Sequence, residues 1–219
     1  MDFGGKNRIF VTGIGDKTGA TSVAIFMAKF LADEGEKASY VQLTEGLETY
    51  YYLAMDKKED WNDFYQMPSI RNSCNMIEKV NWAVRMPSDE EVSSERKRML
   101  INQMPGRTLV IDSDEYLDEA DMIVCVIDPL PSKILQNIEK IKALKKMEYE
   151  GYNVVWIVNK MNKGVSLSQL KKSLKLGEVH TINFIEQEAI YQNEYSGSGI
   201  LRSGKVGEVF REAFLHIFK

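Results

Sequence analysis

Residues 8–31, RIFVTGIGDKTGATSVAIFMAKFL, constrain the fold of this 219-residue chain more than any other stretch. Ile9, Phe10 and Val11 form a short β-branched and aromatic run that reads as a buried strand. A glycine-punctuated loop follows. Val23, Ala24, Ile25, Phe26, Met27, Ala28, Phe30 and Leu31 are then apolar nearly all round, as in a helix packed between a sheet and another layer. The chain turns at Glu34-Gly35-Glu36 into a second strand, Ala38 to Leu43. Two strands joined by a buried helix make a βαβ unit, which commits the chain to an α/β layer with parallel pairing.

The rest of the sequence extends that layer. Further strands are predicted at Arg107 to Asp112, Met122 to Ile127, Val154 to Val158 and Val179 to Phe184. Most are continuous apolar runs, the pattern of parallel strands covered on both faces. Helical spacing marks residues 131–146 (Ile134, Leu135, Ile138, Ile141, Leu144), 166–175 (Leu167, Leu170, Leu174) and about 205–218 (Val206, Val209, Phe210, Ala213, Phe214, Ile217). Between Leu47 and Gly106 the pattern is less regular. YYYLAM suggests a helix, Val80 to Val84 another strand, and Met99, Leu100 and Met104 a helix leading into Arg107. The expectation is a single-domain, doubly wound, mostly parallel α/β sheet over residues 1–219, with no internal boundary.

The loop between the first strand and helix has the form of a phosphate cradle. In G-x-x-x-x-G-K-[ST], backbone N–H groups surround the phosphates and the lysine offsets their charge. Here Gly19, Ala20 and Thr21 occupy the last three positions, so Ala20 stands where the lysine would be. Gly13, Gly15, Asp16, Lys17, Thr18, Gly19, Ala20, Thr21 and Ser22 are the candidate nucleotide-binding residues. The alternative is a turn kept for packing.

Composition narrows the class further. No segment approaches the roughly 20 continuous apolar residues of a membrane span, and the start, MDFGGKNR, lacks a signal-peptide core. Cys74 and Cys125 have no metal-site spacing, and Cys125 lies in an apolar strand as a buried thiol. A cytoplasmic location is expected. The net charge of −4 is unevenly spread, with ten lysines and three glutamates between Lys133 and Lys175. Such a surface suits DNA, anionic lipid or an acidic partner, although solvated helix faces explain it more simply. His180 and His216 lie beside no nucleophile motif and read as structural; Trp61, Trp82, Trp156 and the Tyr50-Tyr51-Tyr52 cluster read as core or surface-patch aromatics.

In order, these features resemble the MinD/ParA group of P-loop proteins (SIMIBI class) over most of the chain outside residues 50–106. That group's loop reads roughly K-G-G-x-G-K-[ST]-[ST], with an extra lysine that reaches the partner subunit's phosphates in a dimer. Aligned on Gly19, that lysine falls at Gly15 and the loop lysine at Ala20, so both are absent; Asp16 and Lys17 replace glycines. RTLVIDSD resembles the strand whose aspartate reaches magnesium through water, which implies Asp112 and Thr21 as metal-site residues. Gln42 and Thr44 replace an Asp-x-Asp pair tied to magnesium and water activation. EADMIVCVIDPLPSKI resembles a further strand and helix of the group; VVWIVNKMNKGVS resembles the strand ending in a base-contacting asparagine, here Asn159; and FIEQEAIYQNEYSGSGI resembles the last loop and the start of a helix. The lysine-poor loop looks closest to the CpaE/TadZ-like branch, which places pilus or secretion machinery.

The resemblance implies ATP or ADP with magnesium, a homodimer, and protein partners in a localisation or secretion machine. The missing lysines and carboxylates imply a positioning or scaffold factor with weak or no hydrolysis and no catalytic residue of its own; failure to bind any nucleotide is the alternative on the ligand side. An atypical active ATPase using Lys17 or a residue of a partner, and a partition-type DNA-binding module, are the competing functions. The group's membrane-surface helix has a positional counterpart at 205–218, but Glu208 and Glu212 dilute its polar face, so core packing without stable membrane insertion is expected.

Overall fold

A computed structural model describes residues 6–53, 75–85, 92–196, 201 and 203–218. Its strands are β1 (Asn7–Gly13), β2 (Ala38–Gln42), β3 (Asn75–Ile77), β4 (Val80–Ala83), β5 (Thr108–Asp112), β6 (Met122–Ile127), β7 (Val154–Met161) and β8 (His180–Asn183). Its helices are α1 (Ala20–Asp33), α2 (Glu48–Tyr52), α3 (Ser94–Gln103), α4 (Pro131–Gln136), α5 (Ile138–Tyr149), α6 (Leu167–Leu174), α7 (Gln187–Ser196) and α8 (Gly204–Ile217). Among the described residues the strands form one sheet in the order β3-β4-β2-β5-β1-β6-β7-β8. Every neighbouring pair is parallel except β3 and β4.

β1 lies between β5 and β6, with Val11 opposite both Asp112 and Val124. Its core residues Ile9, Phe10 and Val11 are fully buried, as the apolar run requires of a strand covered on both faces. Ile9 and Val11 join α1 and α8 in one apolar cluster, whereas Phe10 points to the opposite face with Leu100 and Ile101 of α3. Beyond them, Ile123, Cys125 and Trp156 pack with α5 and α6.

The C-terminal helix is part of this core. Phe210 stacks on Phe26 at 4.3 Å between ring centroids, and Phe214 approaches Phe30 at 5.6 Å. Its apolar stripe is therefore spent on α1, as the packing reading expects. No helix among the described residues is long and apolar enough to cross a membrane.

Several boundaries differ from the sequence reading. Residues 131–146 are two helices, not one, because the chain breaks at Asn137 (φ −114°, ψ 20°) before continuing to Tyr149. β7 runs on to Met161, where the ladder with β8 shifts register. β8 is shorter than predicted, since Val179 and Phe184 fall outside it. Trp82 and Trp156 are fully buried core residues. Trp61, Cys74 and the end of the YYYLAM run lie outside the described residues.

Candidate functional site

The loop leaves β1 at the centre of the sheet's carboxyl edge, where ligands of such folds collect. Ile14 fixes its first step: its N–H donates to the Val126 carbonyl at 2.8 Å, and its side chain is buried. The loop then reverses through three left-handed residues, Gly15 (φ 88°), Lys17 (φ 55°) and Gly19 (φ 87°). At the two glycines a side chain would be strained by the positive φ and would have to displace a neighbouring amide. A Cβ on Gly15 would collide with the Asn137 amide, and one on Gly19 with the Asn159 amide. α1 opens directly after Gly19, whose carbonyl accepts from Val23 N–H at 3.0 Å.

A cleft of about 320 Å³ opens above the loop. Gly13, Gly15 and residues 17–22 form one wall; Thr44, Glu48 and Tyr52 form a second; Asp112 and Asp114, at the end of β5, close it. Nine of the eleven sequence-predicted site residues meet here. Asp16 and Asn159 do not line the cleft. Asn159 is 7 % exposed and lies behind the loop, where its amide donates to the Thr18 carbonyl at 2.8 Å.

Asp112 is almost fully buried. It accepts from the hydroxyls of Tyr40 and Thr44 at 3.2 Å each and from that of Thr21. Burial pushes its carboxyl up to about 6; the three hydroxyls act downward and Asp114 adds a smaller upward push. Thr21 and Asp112 thus present a hydroxyl and a carboxylate side by side on the cleft wall. This oxygen pair fits magnesium, which takes one or two carboxylates and keeps several waters.

Gln42 and Thr44, the two positions that align with the Asp-x-Asp pair, are tied into the surrounding structure. Gln42 is fully buried, donates to the Gly46 carbonyl and accepts from Arg85 N–H at 3.4 Å. Thr44 is bound to Asp112. A neutral amide and a hydroxyl are in any case too weakly basic to take a proton from water. The cleft wall carries three acids, Glu48, Asp112 and Asp114, against one cation, Lys17.

Sequence reasoning missed several residues. Tyr40 and Glu48 enter through the geometry of β2 and α2, which no local pattern marks. Asp114 is held by the Thr12 hydroxyl and by Lys140 Nζ at 2.7 Å. The lysine-rich segment also proves partly committed. Lys133 and Lys160 both reach Asp128 at 2.9 Å, and Lys145 caps the carbonyls of Leu174 and Lys175. Elsewhere, His180 and His216 line a separate cleft of about 380 Å³ between β8 and α8. No three histidine, cysteine or acidic side chains among the described residues could hold a metal ion.

No family model matches the sequence, and no curated protein matches it. Solved structures do. MinD complexed with Mg-ADP from Pyrococcus horikoshii OT3 is 14 % identical with a TM-score of 0.71, covering 98 % of this chain and 96 % of that one. The MinC:MinD cell division complex of Aquifex aeolicus gives 16 % and 0.70, over 97 % and 96 %. A putative plasmid partition protein from Borrelia burgdorferi B31 bound to AMPPNP gives 14 % and 0.68, over 97 % and 100 %. At these identities the likeness concerns the fold alone: this chain is a single-domain, mostly parallel α/β protein whose fold matches those of the MinD and ParA structures.

Proposed function

We propose that residues 1–219 form one MinD/ParA-like domain that binds ATP or ADP with magnesium, hydrolyses it weakly or not at all, and acts as a positioning or scaffold factor through protein contacts. The observation carrying this reading is the cleft itself. It lies where the fold collects phosphates, it has an open backbone loop, and it keeps the Thr21–Asp112 pair while lacking a loop lysine and the switch carboxylates. In this reading Gly13, Gly15 and residues 17–22 take the phosphates, and Thr21 and Asp112 hold magnesium. Asn159 supports the loop from outside the cleft and would lie beside the base, and Asp16 would flank the phosphates from the exposed side of the loop. Transfer chemistry needs a group to orient water and positive charge on the γ-phosphate. The cleft offers Lys17 alone for the second task and, at Gln42 and Thr44, nothing for the first.

Magnesium, when bound, would supply positive charge beside the phosphates. The chain's own part is to hold it through Thr21 and Asp112 and to keep Asp112 ionised against its burial. A cytoplasmic homodimer serving a pilus or secretion apparatus, as in the CpaE/TadZ-like branch, is the cellular role we favour; its support is the lysine-poor loop.

Titration calorimetry with ATP and magnesium, paired with a phosphate-release assay, tests the reading. Saturable binding with turnover far below about 1 s⁻¹ is expected. Binding to neither ATP nor ADP would remove the nucleotide from the proposal. A second reading, an atypical ATPase, has one observation in its favour, namely that Lys17 lines the cleft. Measurable turnover abolished by Lys17→Ala would establish it.

A further inference from the structure

Three consecutive carbonyls of the loop are gripped from behind. Lys133 Nζ donates to the Asp16 carbonyl at 3.3 Å, Lys160 Nζ to the Lys17 carbonyl at 2.5 Å, and the Asn159 amide to the Thr18 carbonyl at 2.8 Å. None of these side chains lines the cleft. Both lysines also share one carboxylate, Asp128, which is 3 % exposed and accepts from each at 2.9 Å. Leu130 N–H donates to the same side chain at 3.2 Å. Burial alone would raise this carboxyl, but the hydrogen bonds from Lys160, Lys133 and Leu130 hold it below the usual carboxylate range. The cluster therefore carries two positive charges against one negative, and its surplus cation lies directly behind the loop.

The geometry of a peptide unit turns this into a statement about the front. The chain has no cis bonds among its described residues, so each C=O points opposite to the N–H of the next residue. Holding the carbonyls of Asp16, Lys17 and Thr18 from behind aims the N–H groups of Lys17, Thr18 and Gly19 the other way, toward the cleft that these residues line. An ammonium on a carbonyl oxygen also draws electrons toward that oxygen, which makes the N–H at the far end of the unit a stronger donor. Alternating left-handed residues already shape the loop as a concave nest of the kind that binds anions.

We propose that Lys133 and Lys160, braced by Asp128, are positioning residues that replace the missing loop lysines by charging the phosphate cradle through its backbone, making it a site for a polyphosphate chain. The ligand class rests on the nucleotide reading above; the device itself does not. It explains how a loop with Ala20 and Gly15 in the lysine positions can keep an anion site, and why a lysine-rich segment lies beside it. It also places the charge where it steadies a bound phosphate chain without touching the oxygen that a hydrolytic step would develop.

The test uses the full chain, with sodium triphosphate and ATP as separate probes. In calorimetry, Lys133→Met and Lys160→Met should each weaken triphosphate binding about tenfold or more, the scale of a charge-assisted hydrogen bond. Lys160→Arg should retain most of the affinity, and Lys160→Gln, which keeps a donor without the charge, should fall with Met. A measurement free of variants is the backbone amide spectrum of the wild type, in which triphosphate should shift Lys17, Thr18 and Gly19 most. Variants within threefold of wild type, Gln behaving as Arg, or the largest shifts lying elsewhere would overturn the proposal while leaving ATP binding intact. Triphosphate binding with the expected pattern but no ATP binding would instead sink the nucleotide reading alone. Binding of neither probe removes both.

Discussion

Asp112→Asn isolates the energetic cost of keeping a buried carboxylate charged. In the folded chain burial lifts the Asp112 carboxyl from 3.8 to about 6. A folded pKa above the unfolded one stabilises the fold at low pH and loses that advantage as pH rises through it. With about 1.4 kcal/mol per pKa unit, ionised Asp112 disfavours the fold by about 3 kcal/mol at pH 7 but by less than about 1 kcal/mol at pH 4. The amide introduced by the substitution does not titrate, and its oxygen still accepts from some of the Tyr40, Thr44 and Thr21 hydroxyls. Urea unfolding of wild type and Asp112→Asn at pH 4 and pH 7 should therefore show the gap moving by about 2 kcal/mol in favour of the variant at pH 7. Taking the difference between proteins cancels every titrating group that does not interact with Asp112; Asp114 does interact, as the smaller of the upward influences on it. Adding magnesium and ATP at pH 7 should stabilise wild type and leave the variant behind. Parallel pH curves for the two proteins would refute the buried-carboxylate argument, whatever the ligand does.

Three further outcomes are expected. Ala20→Lys, at the first residue of α1, should raise ATP affinity about tenfold in calorimetry without speeding phosphate release, because one charged contact is added and Gln42 and Thr44 are unchanged. Gly15→Lys should instead lower stability by about 1–2 kcal/mol in denaturant titration, since φ is 88° there and the Asn137 amide occupies the Cβ position; equal stability would mean that the loop rearranges freely. Phe210→Ala should cost about 3–5 kcal/mol of unfolding free energy, because the ring is buried and stacked on Phe26, and a loss under about 1 kcal/mol would show that α8 is not part of the core.

What the sequence revealed and what it hid divide along the range of the interactions. The strand, loop and helix from Asn7 to Asp33 were legible because apolar runs and glycine spacing are local signals. Asp112 beside Thr21 was legible through motif order. Asn137 was not, since Ile134, Ile138, Ile141 and Leu144 keep a helical period across the break and no proline or glycine marks it. The interruption coincides with a tertiary contact, the Asn137 amide against Gly15. Asp128 and Lys160 escaped for a similar reason. They become neighbours only because β6 and β7 are adjacent, with Ile127 opposite Val158, so that the residues following each of these two share one edge of the sheet. Lys160 looked like one more surface lysine in a run of ten.

The stacking of α8 on α1 has a consequence for how the chain comes off the ribosome. α1 emerges early, carrying Phe26 and Phe30 on a flank that nothing nearby in sequence can cover. β5, which must insert between β1 and β2, is made only after the long stretch that follows β2, and the cover for α1 comes later still with Phe210 and Phe214. Until Phe210 and Phe214 are made, the helix that follows the loop displays a sticky aromatic side, and a nascent chain stalled before Gly204 would be a natural client for a holding chaperone. The cleft and α8 are in this sense timed together: the helix that follows the loop has its full cover only once Phe210 and Phe214 have been made.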